Sequence, residues 1–344
     1  MPTNPDNRLL TRDSPRPEPI GPVVAAFDVL ASPLRAECLE GAGGFSGARL
    51  WRFSTRQGDY CLRRWPPEHP SPERLDWIHS VLRHAAAKGF RCLPVPVATR
   101  GGATWLHHQG HLWELVPWLP GTADFARHPS TARLAAALRA LAEFHRSVED
   151  FAPQPPAPSA GIAERLKQLE RLLEGGFRDL AAAVAARSVA PLDAAAARWI
   201  ELCGRLGEPI RCSLAQAADL RLRRQPCIRD VWHDHVLYEG DVVTGLVDFG
   251  AMRVESVSGD IARLTGSLVG SDANSWRTAL DAYEAIRPLD DRERQLLGVF
   301  DVSGLLLGGA NWIDWIYRQG REFRDFEAVR SRLDAIVVRL EGVR

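Results

Sequence analysis

Asp230, His235 and Asp248 stand on either side of one short segment, Val236 to Val247, with Asp248 followed by Phe249-Gly250. Inside that segment two runs rich in β-branched residues flank the pair Glu239-Gly240, which is the pattern of a β-hairpin. A hairpin returns its ends toward each other. Asp230 and His235 before it and Asp248 after it can therefore converge on one site, with His233 and Asp234 beside them. Such a set suits metal-assisted phosphoryl transfer, where one carboxylate orients and deprotonates a hydroxyl and others hold Mg²⁺ on the phosphates. Asp is also an ordinary turn residue, and only the joint spacing favours chemistry over turn formation here.

The elements that must position these groups change in texture along the chain. Residues 1–20 form an arm rich in proline, and Val23 to Cys38 reads as a short helix entering a strand. The glycine-rich run Gly41 to Gly47 is followed by strand, turn and strand: Leu50 to Phe53, Gln57-Gly58, then Tyr60 to Trp65. Ser71 and Pro72 open a helix with Leu75, Ile78, Val81 and Leu82 on one face, ending at Gly89. Cys92 to Ala98 and Leu112 to Trp118 read as two further strands. From Ser130 the spacing of Leu134, Leu138, Leu141 and His145 is helical, and helical patterns dominate from there on. The expected organisation is a flexible arm over 1–20, a strand-rich lobe over 21–117 and a larger helical lobe over 118–344. Pro153 to Pro158 is a connection within the second lobe.

In this order the motifs resemble the small-molecule branch of the protein-kinase-like fold, the aminoglycoside phosphotransferase, choline kinase and homoserine kinase-like family. Members carry His-Gly-Asp or His-Arg-Asp, an Asn five residues after the Asp, and then Asp-Phe-Gly; here the places hold Ile228-Arg229-Asp230, His235 and Asp248-Phe249-Gly250. Gly259 to Leu264 resembles the element whose Asp, Asp260, braces the catalytic loop. Tyr60-Cys61-Leu62-Arg63 resembles the strand carrying the phosphate-binding lysine, with Arg63 in the lysine place. Leu112 to Trp118 resembles the hinge. The resemblance spans about residues 30 to 344 and rests on five elements in sequence order.

The resemblance implies an α+β, bilobal fold with a small antiparallel sheet above a mainly helical lobe, and transfer of the γ-phosphate of ATP to a hydroxyl of a small molecule. It implies Asp230 as the base, with Asp248 and His235 at the metal positions. Arg63 would neutralise phosphate, and Gly43, Gly44 and Ser46 would lie in the loop over the phosphates. Cys61 would share the nucleotide face of its strand with Arg63, and the backbones of Glu114 and Val116 would meet adenine. The cofactors implied are ATP and Mg²⁺. Because imidazole suits Mg²⁺ less than an oxygen ligand does, Mn²⁺ is an alternative, or Asp234 or water fills the place. The partner of Arg63 on the following helix falls near Ile78 and His79, with Glu73 and Asp76 about a turn earlier.

The composition fits this expectation. At about 150 residues per domain, 344 residues suggest about two domains, with 45% hydrophobic and 25% charged side chains. Basic and acidic residues balance at 43 each, giving no global pull toward nucleic acid or an anionic membrane. Only two of the basic residues are lysines, Lys88 and Lys167, so arginine is the main cation available for phosphate. The longest apolar runs fall short of the roughly 20 residues that span a bilayer, and the proline-rich start is no signal peptide. Six cysteines without a C-x-x-C pair suggest buried thiols in a reducing cytoplasm.

Three other readings compete with this one. A dinucleotide loop is disfavoured because the glycines are spaced G-x-G-x-x-x-G and lead into strands. A catalytically silent module that binds nucleotide, and an interaction protein that binds none, stay open. His145 reads as a packed core residue, and His107, His108 and His111 as exposed loop residues around Gly110. The acceptor pocket is expected among the C-terminal helices. Asp301, Asp314, Glu322 and Asp325 there are available to a cationic acceptor or are equally solvated charges.

Overall fold

The computed structural model describes residues 20–39, 47–323 and 325–343. The arm and the proposed phosphate-loop residues Gly43, Gly44 and Ser46 lie outside them. The chain opens with α1 (Gly21–Ala25) and a 3₁₀ turn, followed by β1 (Arg35–Leu39), β2 (Arg49–Thr55), β3 (Gly58–Arg64), α2 (Pro72–Ala87), β4 (Trp105–His108) and β5 (His111–Pro117). The five strands form one antiparallel sheet in the order β1-β2-β3-β5-β4. Alternation puts Trp51, Phe53, Leu62, Trp113 and Leu115 on one face, where they pack against Val23, Phe27 and Leu30. Arg63 and Cys61 are thereby left on the other face.

The helix expected after Ser71 is α2. The Ser71 hydroxyl accepts from the Arg74 amide at 3.3 Å, and Leu75, Ile78, Val81 and Leu82 are buried. Cys92 to Ala98 is not a strand. Pro94 and Pro96 remove amide donors at alternate positions, and only Val97 bonds the sheet, through the Leu115 carbonyl at 2.8 Å. The fifth strand is instead β4, joined to β5 by Gln109-Gly110, both at positive φ, as a two-residue hairpin loop favours. His107, His108 and His111 therefore belong to a β-hairpin, where His108 pairs with His111.

The rest of the chain is mostly helical: α3 (Thr131–Val148), α4 (Ala160–Arg171), α5 (Phe177–Ala186) and α6 (Asp193–Ala218) come first. Then come β6 (Gln225–Cys227), β7 (Val236–Glu239), β8 (Val242–Leu246) and β9 (Arg253–Glu255). The chain ends with α7 (Ser258–Val269), α8 (Ala273–Glu284), α9 (Asp291–Ile313) and α10 (Phe326–Glu341). Here α3 is the central helix of one core, with Leu134, Leu138, Leu141, Phe144 and Val148 packed on α8 and on the β7–β8 hairpin. A second core joins α4, α6, α9 and α10 around the fully buried Trp199. The helical run that begins with α9 is long and apolar enough by composition to cross a membrane, and over half of its apolar window is buried inside this core.

All six cysteines are free thiols. Cys61, Cys203 and Cys227 are buried, but Cys38 and Cys212 are exposed, in contrast to the expectation of buried thiols.

Candidate active site

The hairpin is β7 and β8, with Gly240 at φ 58° in its turn. Its open end is fastened where the Val247 amide donates to the His235 carbonyl at 3.0 Å. That bond delivers Asp248 beside His235, and the Asp248 Oδ2 to His235 Nε2 distance is 3.7 Å. Asp248 takes a left-handed backbone, φ 63°, which turns its side chain into the cleft while Phe249 packs on Phe144 in the core. Glycine is required next. A Cβ on Gly250 would lie 2.9 Å from the Trp65 ring.

The loop carrying Asp230 is braced from below. Arg229 is held at φ 73°, a strained value for a residue other than glycine, and the carboxylate of Asp260 compensates by accepting the amides of Ile228 at 2.6 Å and Arg229 at 2.7 Å. Asp260 sits in the first turn of α7, buried. His145 meets it at 3.1 Å and takes Tyr283 Oη at 2.8 Å on its other nitrogen. Burial pulls the His145 pKa below its ordinary value, against the attraction of Asp260. His145 is thus the core histidine expected, and Ile228, in the family's histidine place, is buried in the same core.

Asp230 is half exposed, and Arg263 Nη2 reaches its Oδ1 at 3.1 Å. The Asp230 carbonyl accepts from His235 Nδ1 at 2.8 Å, and His235 Nε2 accepts from the Trp232 indole at 3.0 Å. These two bonds define one tautomer, with the proton on Nδ1. The imidazole is thereby a strut inside the catalytic loop, and a metal at Nε2 would displace the indole N–H.

Arg63 points into the same cleft. Its Nη1 lies 3.5 Å from Asp248 Oδ1, its Nε 3.7 Å from Glu114 Oε1, and its guanidinium covers the Trp65 ring at 4.6 Å. Burial pulls the Arg63 pKa down, but Asp248 and Glu114 outweigh it and hold the group above its ordinary value. Cys61 lies on the same face, its thiol pushed up to about 11 chiefly by burial. The expected helix partner of Arg63 is indirect: His79 of α2 meets Glu114 Oε2 at 2.6 Å, and its other nitrogen meets Thr104 Oγ1 at 2.7 Å.

Glu114 therefore differs from the adenine contact expected of it. Its carboxylate is buried between His79 and Arg63, and its backbone lies inside the sheet, with Arg63 of β3 on one side and Trp105 of β4 on the other. Val116, opposite Cys61, does line the cleft.

These groups share one cleft of about 1370 Å³ between the sheet and the helices. Leu50, Cys61, Val116, Leu237 and Val247 give its upper end an apolar lining, and Asp230, Asp248 and Arg63 stand in its middle. Its lower end runs between α4, α7, α9 and α10. Residues 38–296 match the phosphotransferase enzyme family known as APH. The chain belongs to that family.

Relatives and solved structures agree. The chain is 26% identical over 252 residues to a homoserine kinase of Xanthobacter autotrophicus, covering 71% of this chain and 70% of the relative. It is likewise 26% identical to a homoserine kinase of Acidiphilium cryptum, covering 72% of each. An amicoumacin kinase solved with AMP-PNP and Ca²⁺ superposes with TM-score 0.63 at 14% identity, covering 93% of this chain and 91% of the other. A choline/ethanolamine kinase family protein of Mesorhizobium loti does so with TM-score 0.57 at 18% identity, over the same shares. These structural likenesses are likenesses of fold: an α+β, bilobal, protein-kinase-like architecture. Family and relatives make the chain a small-molecule kinase, a phosphotransferase that uses a hydroxyl acceptor.

Sequence reasoning missed Trp232, Arg263 and Glu114 as parts of this phosphotransferase site in their present roles. Arg263 was legible in principle, since Asp260 and Arg263 are three apart on one helix and share a face toward the loop. Trp232 lies within the catalytic-loop motif, three residues before His235, and Glu114 acts through Arg63 and His79, which folding brings to it from other elements.

Proposed function

We propose that this chain transfers the γ-phosphate of ATP to a small-molecule hydroxyl with Asp230 as the base. The observation that supports this most is the convergence, in one cleft, of two half-exposed carboxylates from opposite ends of the β7–β8 hairpin with a buried arginine on the sheet above. Asp230 accepts the proton of the acceptor hydroxyl and orients it, and the Arg263 guanidinium holds that carboxylate in place. Arg63 meets phosphate oxygens, anchored through Glu114 and His79 to α2. Cys61, Val116, Leu237 and Val247 exclude water around the base of the nucleotide.

The donor set fits Mg²⁺, which takes one or two carboxylates together with phosphates and water. Asp248 is the residue to hold it, and His235 contributes by stiffening the loop rather than through Nε2, which the indole already engages. Held by Asp248, such an ion would supply neutralisation of the phosphate charge. Gly43, Gly44 and Ser46 remain the proposed loop over the phosphates. The free thiols agree with a reducing cytoplasm as its place of work.

The direct test is ADP release by the purified chain with Mg²⁺, ATP and a panel of hydroxyl compounds, beginning with L-homoserine because of its relatives. Acceptor-dependent release that disappears in Asp230→Asn supports the proposal. Nucleotide binding with no transfer to any acceptor would favour the silent module.

A further inference from the structure

We propose that the acceptor carries an anionic group, a carboxylate or phosphate, which is bound by Arg165 at the lower end of the cleft. This rests on the kinase reading above and narrows it to a substrate class. The cleft is lined by the carboxylates of Glu164, Asp230, Asp234, Asp248 and Asp301. Each already holds an arginine: Arg229 at 3.1 Å, Arg263 at 3.1 Å, Arg332 at 3.5 Å, Arg63 at 3.5 Å and Arg339 at 2.7 Å respectively. Arg165 lines the same cleft, and among the described residues no carboxylate lies within 4.0 Å of it. Arg165 thus lines the cleft without an ion pair within 4.0 Å among the described residues, while Glu255 and Glu164 act on it from farther off and are themselves paired with Arg229.

Arg165 is also held ready. It rises from α4, donates to the Gly161 carbonyl at 3.2 Å and sits over the Phe300 ring of α9, 4.8 Å from its centre. That geometry fixes the plane of a fork suited to two acceptor oxygens and lowers the ordering cost of binding. Burial pulls its pKa down to about 10, and Arg229 and Arg263 act in the same direction while Glu255 and Glu164 oppose them. Arg263 connects it to the chemistry, because the same guanidinium that acts on Arg165 also touches the Asp230 carboxylate. An anionic group on Arg165 would leave the rest of a small acceptor close to the base.

The acids that the sequence offered to a cationic acceptor are taken. Asp301 is gripped through both oxygens by Arg339, Asp314 pairs with Arg318 at 2.5 Å, and Asp325 caps the first turn of α10. Glu322 is exposed and does not line the cleft.

The test measures ADP release by the full chain with hydroxyl compounds in three charge classes. Probes bearing an anionic group are 4-hydroxybutyrate, the zwitterion L-homoserine and glucose 6-phosphate; 1,4-butanediol and glucose bear no charge; choline and kanamycin are cationic. The expected result is the highest kcat/KM with a carboxylate or phosphate bearer, distinguishing the two anions, and an acceptor KM raised about tenfold or more in Arg165→Met, with Arg165→Lys intermediate. The KM for ATP should move less than twofold. A best acceptor that is neutral or cationic would overturn the assignment. A rise in the KM for ATP in place of the acceptor KM would do so too, placing Arg165 on the nucleotide phosphates. If Mg²⁺ and ATP raise the melting temperature but no anionic probe is turned over or shifts it further, the substrate class fails and nucleotide binding stands. If ATP gives neither shift nor ADP, the kinase reading itself fails.

Discussion

The His79 imidazole of α2 and the Glu114 carboxylate of β5 meet at 2.6 Å in a buried contact, and the other oxygen of Glu114 faces Arg63 across 3.7 Å. Arg63, the cation proposed to meet phosphate, is thus tied to a helix through a carboxylate on a neighbouring strand. A shift of α2 would be felt at Arg63. Glu114→Gln, which keeps the shape and removes the charge, should raise the KM for ATP about three- to tenfold. Glu114→Ala should also cost about 1–3 kcal/mol of stability, since it leaves His79 without its partner in the core. Steady-state kinetics and urea denaturation read the two effects, and Arg63→Ala should reproduce the kinetic one while Arg64→Ala, outside the cleft lining, does not.

The two carboxylates of the site should be separable from the fold. Asp230→Ala and Asp248→Ala are each expected to lower transfer at least about 100-fold with the melting temperature nearly unchanged, because both side chains are half exposed. Asp248→Ala should weaken metal-dependent ATP binding more than Asp230→Ala does. Titration calorimetry with and without Mg²⁺ checks the order, and wild-type activity in either variant would displace the site.

Trp232 engages the Nε2 of His235 through one hydrogen bond, indole N–H to Nε2 at 3.0 Å. Trp232→Phe keeps an aromatic face for Arg332, which lies 4.1 Å above the ring, and releases the Nε2 lone pair. The activity ratio of Mn²⁺ to Mg²⁺ should then rise severalfold, since imidazole favours the softer ion. His235→Asn in the same background should abolish the rise. An unchanged ratio in Trp232→Phe would mean that Nε2 is turned from the metal position for another reason.

His145 makes a pH-dependent contribution whose sign follows from burial. Its pKa is lowered in the folded chain, so the unfolded chain takes up the proton first as pH falls. Stability is full above the ordinary histidine value of about 6.5 and declines as pH drops from there toward the folded pKa. The melting temperature should fall between pH 7 and pH 5, and His145→Gln should show a shallower fall from a lower starting point. Scanning calorimetry across that window tests it. Equal slopes in both proteins would assign the acid sensitivity to other groups.

Local pattern was enough for the chemistry that lies close in sequence. Asp230, His235 and Asp248 flank a hairpin whose turn, Glu239-Gly240, is written in adjacent residues, so their convergence follows from strand geometry alone. Ser71 and Pro72 set the start of α2, and the alternation in β3 separates Arg63 from Leu62, for equally local reasons. The strand expected at Cys92 to Ala98 failed because apolar alternation ignores backbone donors, and Pro94 and Pro96 leave that stretch unable to join a ladder.

Other features needed the tertiary structure because they arise between elements distant in sequence. Glu114 could not be distinguished from a hinge residue until β3 and α2 were placed on either side of its strand. The charge left over in the cleft was invisible in a chain with 43 basic and 43 acidic residues, because net charge counts groups and not pairs. Only folding decides which carboxylate meets which guanidinium, and it left Arg165 facing the cleft with Phe300 against it and, among the described residues, no carboxylate within ion-pair distance, since each carboxylate lining the cleft already meets another arginine.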